Sequence, residues 1–406
     1  MSFGRSRHRS ECPRLHTCSY CQRENGGRTS DAAESNFRTV GVWFAVTQTL
    51  LVGGYGSVGH IVARELTSSM AEREQLLIAG RDDSKAASLA ERLGDHASGV
   101  SFDVEAPATY SSVLKDVDQV IVCLDQSGTA FVEACLERGI DYVDVTASDE
   151  FFRQVESFDQ FARENDATAV LSVGLAPGVT NLLAARAVDE LSTVSDVRIG
   201  VLLGLGESFG PEASRWTLEH IGRPFTVQTN GDSRTVRGFT DPRPIEFPRY
   251  GCRTAYRFDF ADQHVVQRTL DVPTASTRFC FDSRLASTGI HGLVRAGVYQ
   301  PMADAVGVDR LARLSESLSL GGDGFAVTVT AEGRRDKTRI ATTEAVDGRE
   351  QSHVTGLVAA VVAQAVAAGD VSNGVSHVHQ ILEPTTVLDE LRSHGYRTTS
   401  SERVLG

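Results

Sequence analysis

The chain has 406 residues, 41% hydrophobic and 23% charged, with a formal net charge of −13. That length allows two domains, and the composition excludes a chain dominated by disorder. The acidic balance disfavours nucleic acid and anionic membrane as partners, because neither polyanion is drawn to such a field.

Residues 1–45 differ in texture from the rest of the chain. They carry seven arginines against four acidic residues, leaving 33 basic and 49 acidic residues for the remainder, and they lack helical or strand periodicity. This head is expected to be disordered and dispensable, an overhang upstream of a start at Val46. Cys18-x-x-Cys21, with Cys12 and His16, matches no common zinc spacing, so no metal is expected. The remaining cysteines, Cys123, Cys135, Cys252 and Cys280, sit in apolar or strand-like surroundings and read as small hydrophobes of a reducing, cytoplasmic setting.

Behind Val46 an apolar strand runs into Gly53-Gly54-Tyr55-Gly56-Ser57-Val58-Gly59 and then into an amphipathic helix. Gly54, Gly56 and Gly59 fit G-x-G-x-x-G: a tight turn, a close approach of backbone to a pyrophosphate, and tight packing of helix on strand. The helix start offers amides and a positive dipole end to the phosphates. A second apolar run at 75–80 ends at Arg81, about twenty residues on, where the ribose is read. Arginine there favours the 2′-phosphate of NADP, supported by Ser84 and Lys85 at the start of a helix over 83–93. Asp82 and Asp83 leave NAD possible, and the whole group also reads as a solvated helix cap.

The βα alternation continues, with strands at 100–104, 119–124, 141–145 and 168–173 and helices at 108–117, 128–138 and 149–165. It specifies a doubly wound parallel sheet of the Rossmann type over residues 46–192. Beyond 192 come longer strand-like runs at 197–203, 225–237 with a turn at Asn230-Gly231, 253–260, 277–281, and 325–343 bent at Glu332-Gly333. Helices at 212–221 and 284–296 punctuate them. A second α+β domain with a mainly antiparallel sheet is therefore expected over 193–350, serving substrate binding or oligomerisation. The apolar run 354–369 is too short to span a bilayer. It reads as a buried helix opening a C-terminal segment, 351–406, that returns to the first domain.

Four blocks of this chain, at 53–59, 79–81, 131–146 and 174–181, together resemble the saccharopine dehydrogenase-like oxidoreductases, and the tail after Val354 is loosely similar. The resemblance implies that Gly54, Tyr55, Gly56, Ser57, Val58 and Arg81 hold NADP, that Asp103 lies near the adenine, and that Leu124 and Asp125 line the nicotinamide side. It also places the turn containing Pro177, Gly178, Thr180 and Asn181 beside the substrate cleft. The chain departs from the family pattern at Ala176, where an aspartate is usual, and at Asp125, where small residues are common. The implied activity is hydride transfer to or from an amino-acid-derived imine or secondary amine. An NADP-binding sensor without hydride chemistry, or an amine dehydrogenase or synthase that recycles its nicotinamide, stays open as an alternative.

The residues themselves add candidates. Asp144 and Thr146 fall at the carboxyl end of the fifth strand, a favoured site position, where Asp144 can act in catalysis or simply cap the strand. Tyr250 is a candidate proton donor. Arg215, Arg223, Arg237, Arg243 and Arg249 are candidate carboxylate anchors, at most two of them in the cleft. His220 and His291 lie in helical contexts and read as structural. A small amino-acid-like substrate and a possible homodimer complete the expectations.

Overall fold

The computed structural model describes residues 47–206, 211–311 and 321–405, so the head and its cysteines lie outside the described residues. The described residues belong to one compact unit. Among the described residues no helix is long and apolar enough to cross a membrane.

The first sheet contains β1 (Thr47–Val52), β2 (Glu74–Gly80), β3 (Ala97–Ser101), β4 (Gln119–Val122), β5 (Asp141–Asp144) and β6 (Thr168–Leu171), all parallel. Leu50, Leu51, Val120, Ile121, Val143 and Val170 are buried, as expected of strands covered on both faces. Between β4 and β2 lies β1. Its end and that of β4 therefore flank the point where the strand order reverses, the position at which open α/β sheets bind ligands. The expected helix over 149–165 is two helices, Asp149–Glu156 and Asp159–Glu164. At the break the Ser157 hydroxyl donates to the carbonyl of Gln154 (2.6 Å), turning the chain off the helical path.

The second sheet is built from β7 (Thr193–Leu203), β10 (Arg243–Phe247), β11 (Gly251–Arg257), β12 (Ala275–Phe281), β13 (Gly324–Arg335) and β14 (Thr338–Arg349); β8 (Pro224–Thr229) and β9 (Asp232–Arg237) form a separate hairpin through Asn230-Gly231. Only β12 and β7 run parallel in the second sheet; its other pairings are antiparallel. The expected bend at Glu332-Gly333 is not a turn. The chain reverses at Asp336, which takes the left-handed conformation (φ 56°), while Glu332-Gly333 marks a register shift against β7. A Cβ on Gly333 would lie 2.0 Å from the carbonyl oxygen of Thr193, so the glycine serves a close backbone approach.

Two strands from the end of the chain complete the two sheets. The short β15 (Gly374–His377) pairs in parallel with β6, and β16 (Arg397–Val404) pairs with β14. Ahead of them the helix Gln351–Ala367 packs on the helix Gly59–Ser69. A Cβ on Gly356 would meet Ile61 at 2.7 Å, and the Gln119 amide donates to the carbonyl of Ala363 (2.9 Å), so the two helices and β4 are held in close contact.

Candidate functional site

The glycine turn at the end of β1 has the stereochemistry its sequence demands. Gly53 has φ +76°, and a Cβ there would lie 3.0 Å from the carbonyl oxygen of Cys123 at the end of β4. A Cβ on Gly54 would strike Ile78 at 2.8 Å, and one on Gly59 would lie 2.3 Å from the carbonyl oxygen of Gly53. At Gly56 the nearest atom would be the Gly53 carbonyl oxygen at 3.1 Å, and the residue faces solvent. Gly53, Gly54 and Gly59 each pack against several protein atoms, while Gly56 faces solvent with the Gly53 carbonyl oxygen as its one near neighbour. The amides of Val58 and Gly59 have no partner among the described residues and open the helix Gly59–Ser69, as an anion-binding helix start requires.

At the neighbouring strand end the Tyr55 ring lies against Gly80, whose Cβ would come within 2.4 Å of it, and the Tyr55 hydroxyl accepts from the amide of Asp82 (3.0 Å). Asp82 caps the helix Asp83–Leu93, accepting from the amide of Lys85 (3.2 Å) and the hydroxyl of Ser84 (2.6 Å) and lying 3.6 Å from the Lys85 ammonium. Asp82 is therefore spent on the helix, along with part of what Ser84 and Lys85 offer. Arg81 is exposed and has no carboxylate partner among the described residues. Asp103 is exposed at the end of β3, where its carboxylate accepts from the amide of Glu105 (3.1 Å). Leu124 lies against Gly53, and Asp125 is exposed behind it.

The replacement Arg81→Ala should weaken NADP binding tenfold to a hundredfold, since a charge-assisted contact to phosphate is worth roughly 1.5–3 kcal/mol. Affinity for NAD should hardly change. Titrating both nucleotides against both proteins decides the point; equal losses for the two would remove Arg81 from the 2′-phosphate.

Asp144 is wholly buried. Its carboxylate accepts from the Tyr142 hydroxyl (2.5 Å), the Gln126 amide (3.2 Å) and the backbone amide of Thr146 (2.6 Å). Burial lifts its pKa to about 6 against the pull of those donors. Its geometry is that of a strand-end cap. Thr180 and Asn181 are also fully buried, and the Asn181 side chain accepts from the amide of Gly178 (2.9 Å), propping the loop that contains Pro177.

A cavity of about 870 Å³ begins one residue beyond Thr146, at Ala147, at the carboxyl end of β5 and so on the same edge of the sheet as the glycine turn. One wall is the start of the helix Asp149–Glu156, with Asp149, Glu150 and Arg153; the other brings Trp216 and His220 from the helix Pro211–His220, Phe225 from β8, and Asp259 with His264. Neither Asp144 nor Tyr250 is on this wall, nor are Thr146, Pro177, Gly178, Thr180 and Asn181. Tyr250 lies instead over Gly324 of β13, and burial raises its pKa. None of the five arginines considered as anchors lines the cavity: Arg215 pairs with Glu219 (2.9 Å), Arg243 lies 3.4 Å from Asp241, and Arg237 donates to the carbonyl of Gly222. His291, stacked on Tyr256 and bonded to the carbonyl of Phe239 (2.8 Å), is structural.

What the sequence did not single out is the pair Asp259 and His264. The imidazole Nε2 lies 2.9 Å from the Asp259 carboxylate, both side chains are partly buried, and both reach the cavity. Behind the cavity wall, Arg268 bonds Asp149 (2.7 Å) and Glu156, and Glu156 also meets His377 Nε2 (2.8 Å). Burial works against ionisation of Glu156, but the hydrogen bonds from His377 and Arg268 outweigh it and hold the carboxyl at about 2. The helix that supplies Asp149 and Glu150 is thus bound through ion pairs to the helix Ala261–Thr269 and through a hydrogen bond to His377 of β15.

Residues 49–170 match the family described as the saccharopine dehydrogenase NADP binding domain, and that region is an NADP-binding domain of this type. A carboxyaminopropylagmatine dehydrogenase of Synechocystis sp. is 25% identical over 225 residues, covering 51% of this chain and 55% of the relative. The chain thus spans little more than half the length of that curated relative. An L-Glu-forming saccharopine dehydrogenase of Saccharomyces cerevisiae superposes with a TM-score of 0.62 at 15% identity, over 89% of this chain and all of that one; the fold is shared.

Proposed function

We propose that this chain, built on a saccharopine dehydrogenase-type NADP-binding domain, is an NADP-dependent oxidoreductase acting on the C–N bond of an amino-acid-derived imine or secondary amine. The observation that carries the reading is the cavity on the carboxyl edge of the nucleotide-binding sheet, of a volume suited to a small molecule and containing a histidine held by an aspartate. The curated relative is, by its name, a dehydrogenase of carboxyaminopropylagmatine.

When bound, NADP supplies or accepts the hydride. The protein's part is orientation and proton transfer. Gly54, Tyr55, Gly56, Ser57, Val58, Gly59 and Arg81 would hold the nucleotide at the ends of β1 and β2, and Leu124 and Asp125 would contact its nicotinamide part. An amine loses hydride only with its nitrogen lone pair free, so oxidation needs a base and reduction an acid at nitrogen. Asp259 fixes the His264 ring through Nε2 and leaves Nδ1 to exchange that proton. The helices Asp149–Glu156 and Pro211–His220 would flank the reacting carbon on two sides.

The test is NADPH turnover, followed by absorbance, with imines formed from 2-oxo acids or aldehydes and primary amines. Turnover with one class of imine is expected. Tight NADP binding without turnover across the panel would favour a sensor, and product without net nicotinamide consumption would favour a synthase.

A further inference from the structure

We infer that the substrate arm seated in the cavity between the helix Asp149–Glu156 and Trp216 is cationic at neutral pH, a guanidinium or an ammonium, and not a second carboxylate. The inference rests on the proposed assignment of that cavity to substrate. Its walls carry three carboxylates, Asp149, Glu150 and Asp259, against one arginine, Arg153.

The pairing of these charges decides what a newcomer would find. Asp149 is bonded to Arg153 (2.9 Å) on the cavity side and to Arg268 (2.7 Å) behind it, and Asp259 is bonded to His264 (2.9 Å). Arg153 is thereby already neutralised. An entering carboxylate would have to draw that guanidinium away from Asp149 while facing two further carboxylates. An entering cation meets the opposite situation, because Glu150 lines the cavity and has no ion pair among the described residues. The far wall adds aromatic surface: the Trp216 indole, with His220 stacked on it at 4.1 Å, and Phe225. Among aromatic rings indole attracts a cation most strongly, and a planar guanidinium also stacks on aromatic faces.

The experiment uses the full chain saturated with NADP and measures binding of n-butylguanidinium, n-butylammonium and glutarate by calorimetry. Butylguanidinium should bind more tightly than glutarate. Glu150→Gln and Trp216→Leu should each weaken it by roughly threefold to tenfold, the range of a partly exposed ion pair or cation–π contact, with NADP affinity unchanged as the control on folding. Tighter binding of glutarate, no measurable binding of either cation, or equal affinity for butylguanidinium in wild type and Glu150→Gln would overturn the inference. The two readings fail separately. Turnover of an imine with a carboxylate arm, uninhibited by butylguanidinium, would leave the proposed activity standing and remove the cationic arm. Binding of butylguanidinium without turnover of any imine would do the reverse.

Discussion

Gly59→Ala is expected to lose NADP binding by roughly a hundredfold and to lower the melting temperature at the same time. The added methyl would sit 2.3 Å from the carbonyl oxygen of Gly53 and 2.7 Å from the Cα of Gly54. Both are backbone atoms of the turn itself, so no flexible side chain can yield. The helix Gly59–Ser69 must lift away, at a cost of about 1–3 kcal/mol typical of overpacking, and its leading amides move off the phosphates with it. Gly56→Ala is the informative partner. There the one near neighbour is the Gly53 carbonyl oxygen at 3.1 Å, a contact that a shift of a few tenths of an ångström relieves, so the fold should lose little stability while the methyl occupies the surface a pyrophosphate needs. Calorimetric titration with NADP and thermal melts of both variants should show binding and stability lost together at position 59, and binding lost with little change in stability at 56. Undiminished NADP affinity in Gly56→Ala would mean that the phosphates lie elsewhere.

Replacing His264 by alanine should lower kcat by a factor of roughly 10²–10⁴, the span of a lost general acid–base, with NADP affinity unaltered. Asp259→Asn should give a smaller loss, since it removes the group that orients the ring and leaves the ring in place. Exogenous imidazole should restore part of the activity of His264→Ala, a response that a purely structural histidine would not give. Full activity in His264→Ala would assign the proton to another group.

Legibility in the sequence followed locality. The nucleotide turn was readable because it is contiguous: strand, glycines, helix and Arg81 arrive within some thirty residues, and each glycine has a steric reason of its own. The cavity was not readable. Its walls converge from Asp149 and Glu150, from Trp216 and His220, and from Asp259 and His264, three segments whose spacing obeys no period and forms no motif. The place of Asp144 at a strand end suits a catalytic carboxylate and a buried cap alike, and its three donors are those a cap requires. In the second sheet, Glu332-Gly333 has the composition of a turn, but the glycine there answers a neighbouring backbone and Asp336 turns the chain. The strand β15 is four residues long and includes a glycine, a serine and a histidine, so no apolar run announces it. Pairing across the molecule, not local propensity, makes it a strand.

That same short strand constrains how the protein can be made. The hydrogen bond between Ser172 and His377 joins residues 205 apart in sequence. On the ribosome, β6 emerges long before its partner and presents an unpaired edge for the synthesis of half the chain. The helix Gly59–Ser69 likewise waits for the helix Gln351–Ala367 to cover it. Contacts of such separation fold slowly, and waiting edges and apolar faces are what chaperones hold and aggregates recruit. A nascent chain that stalls before Gly374 therefore carries a nucleotide-binding sheet with one side open, however complete its glycine turn.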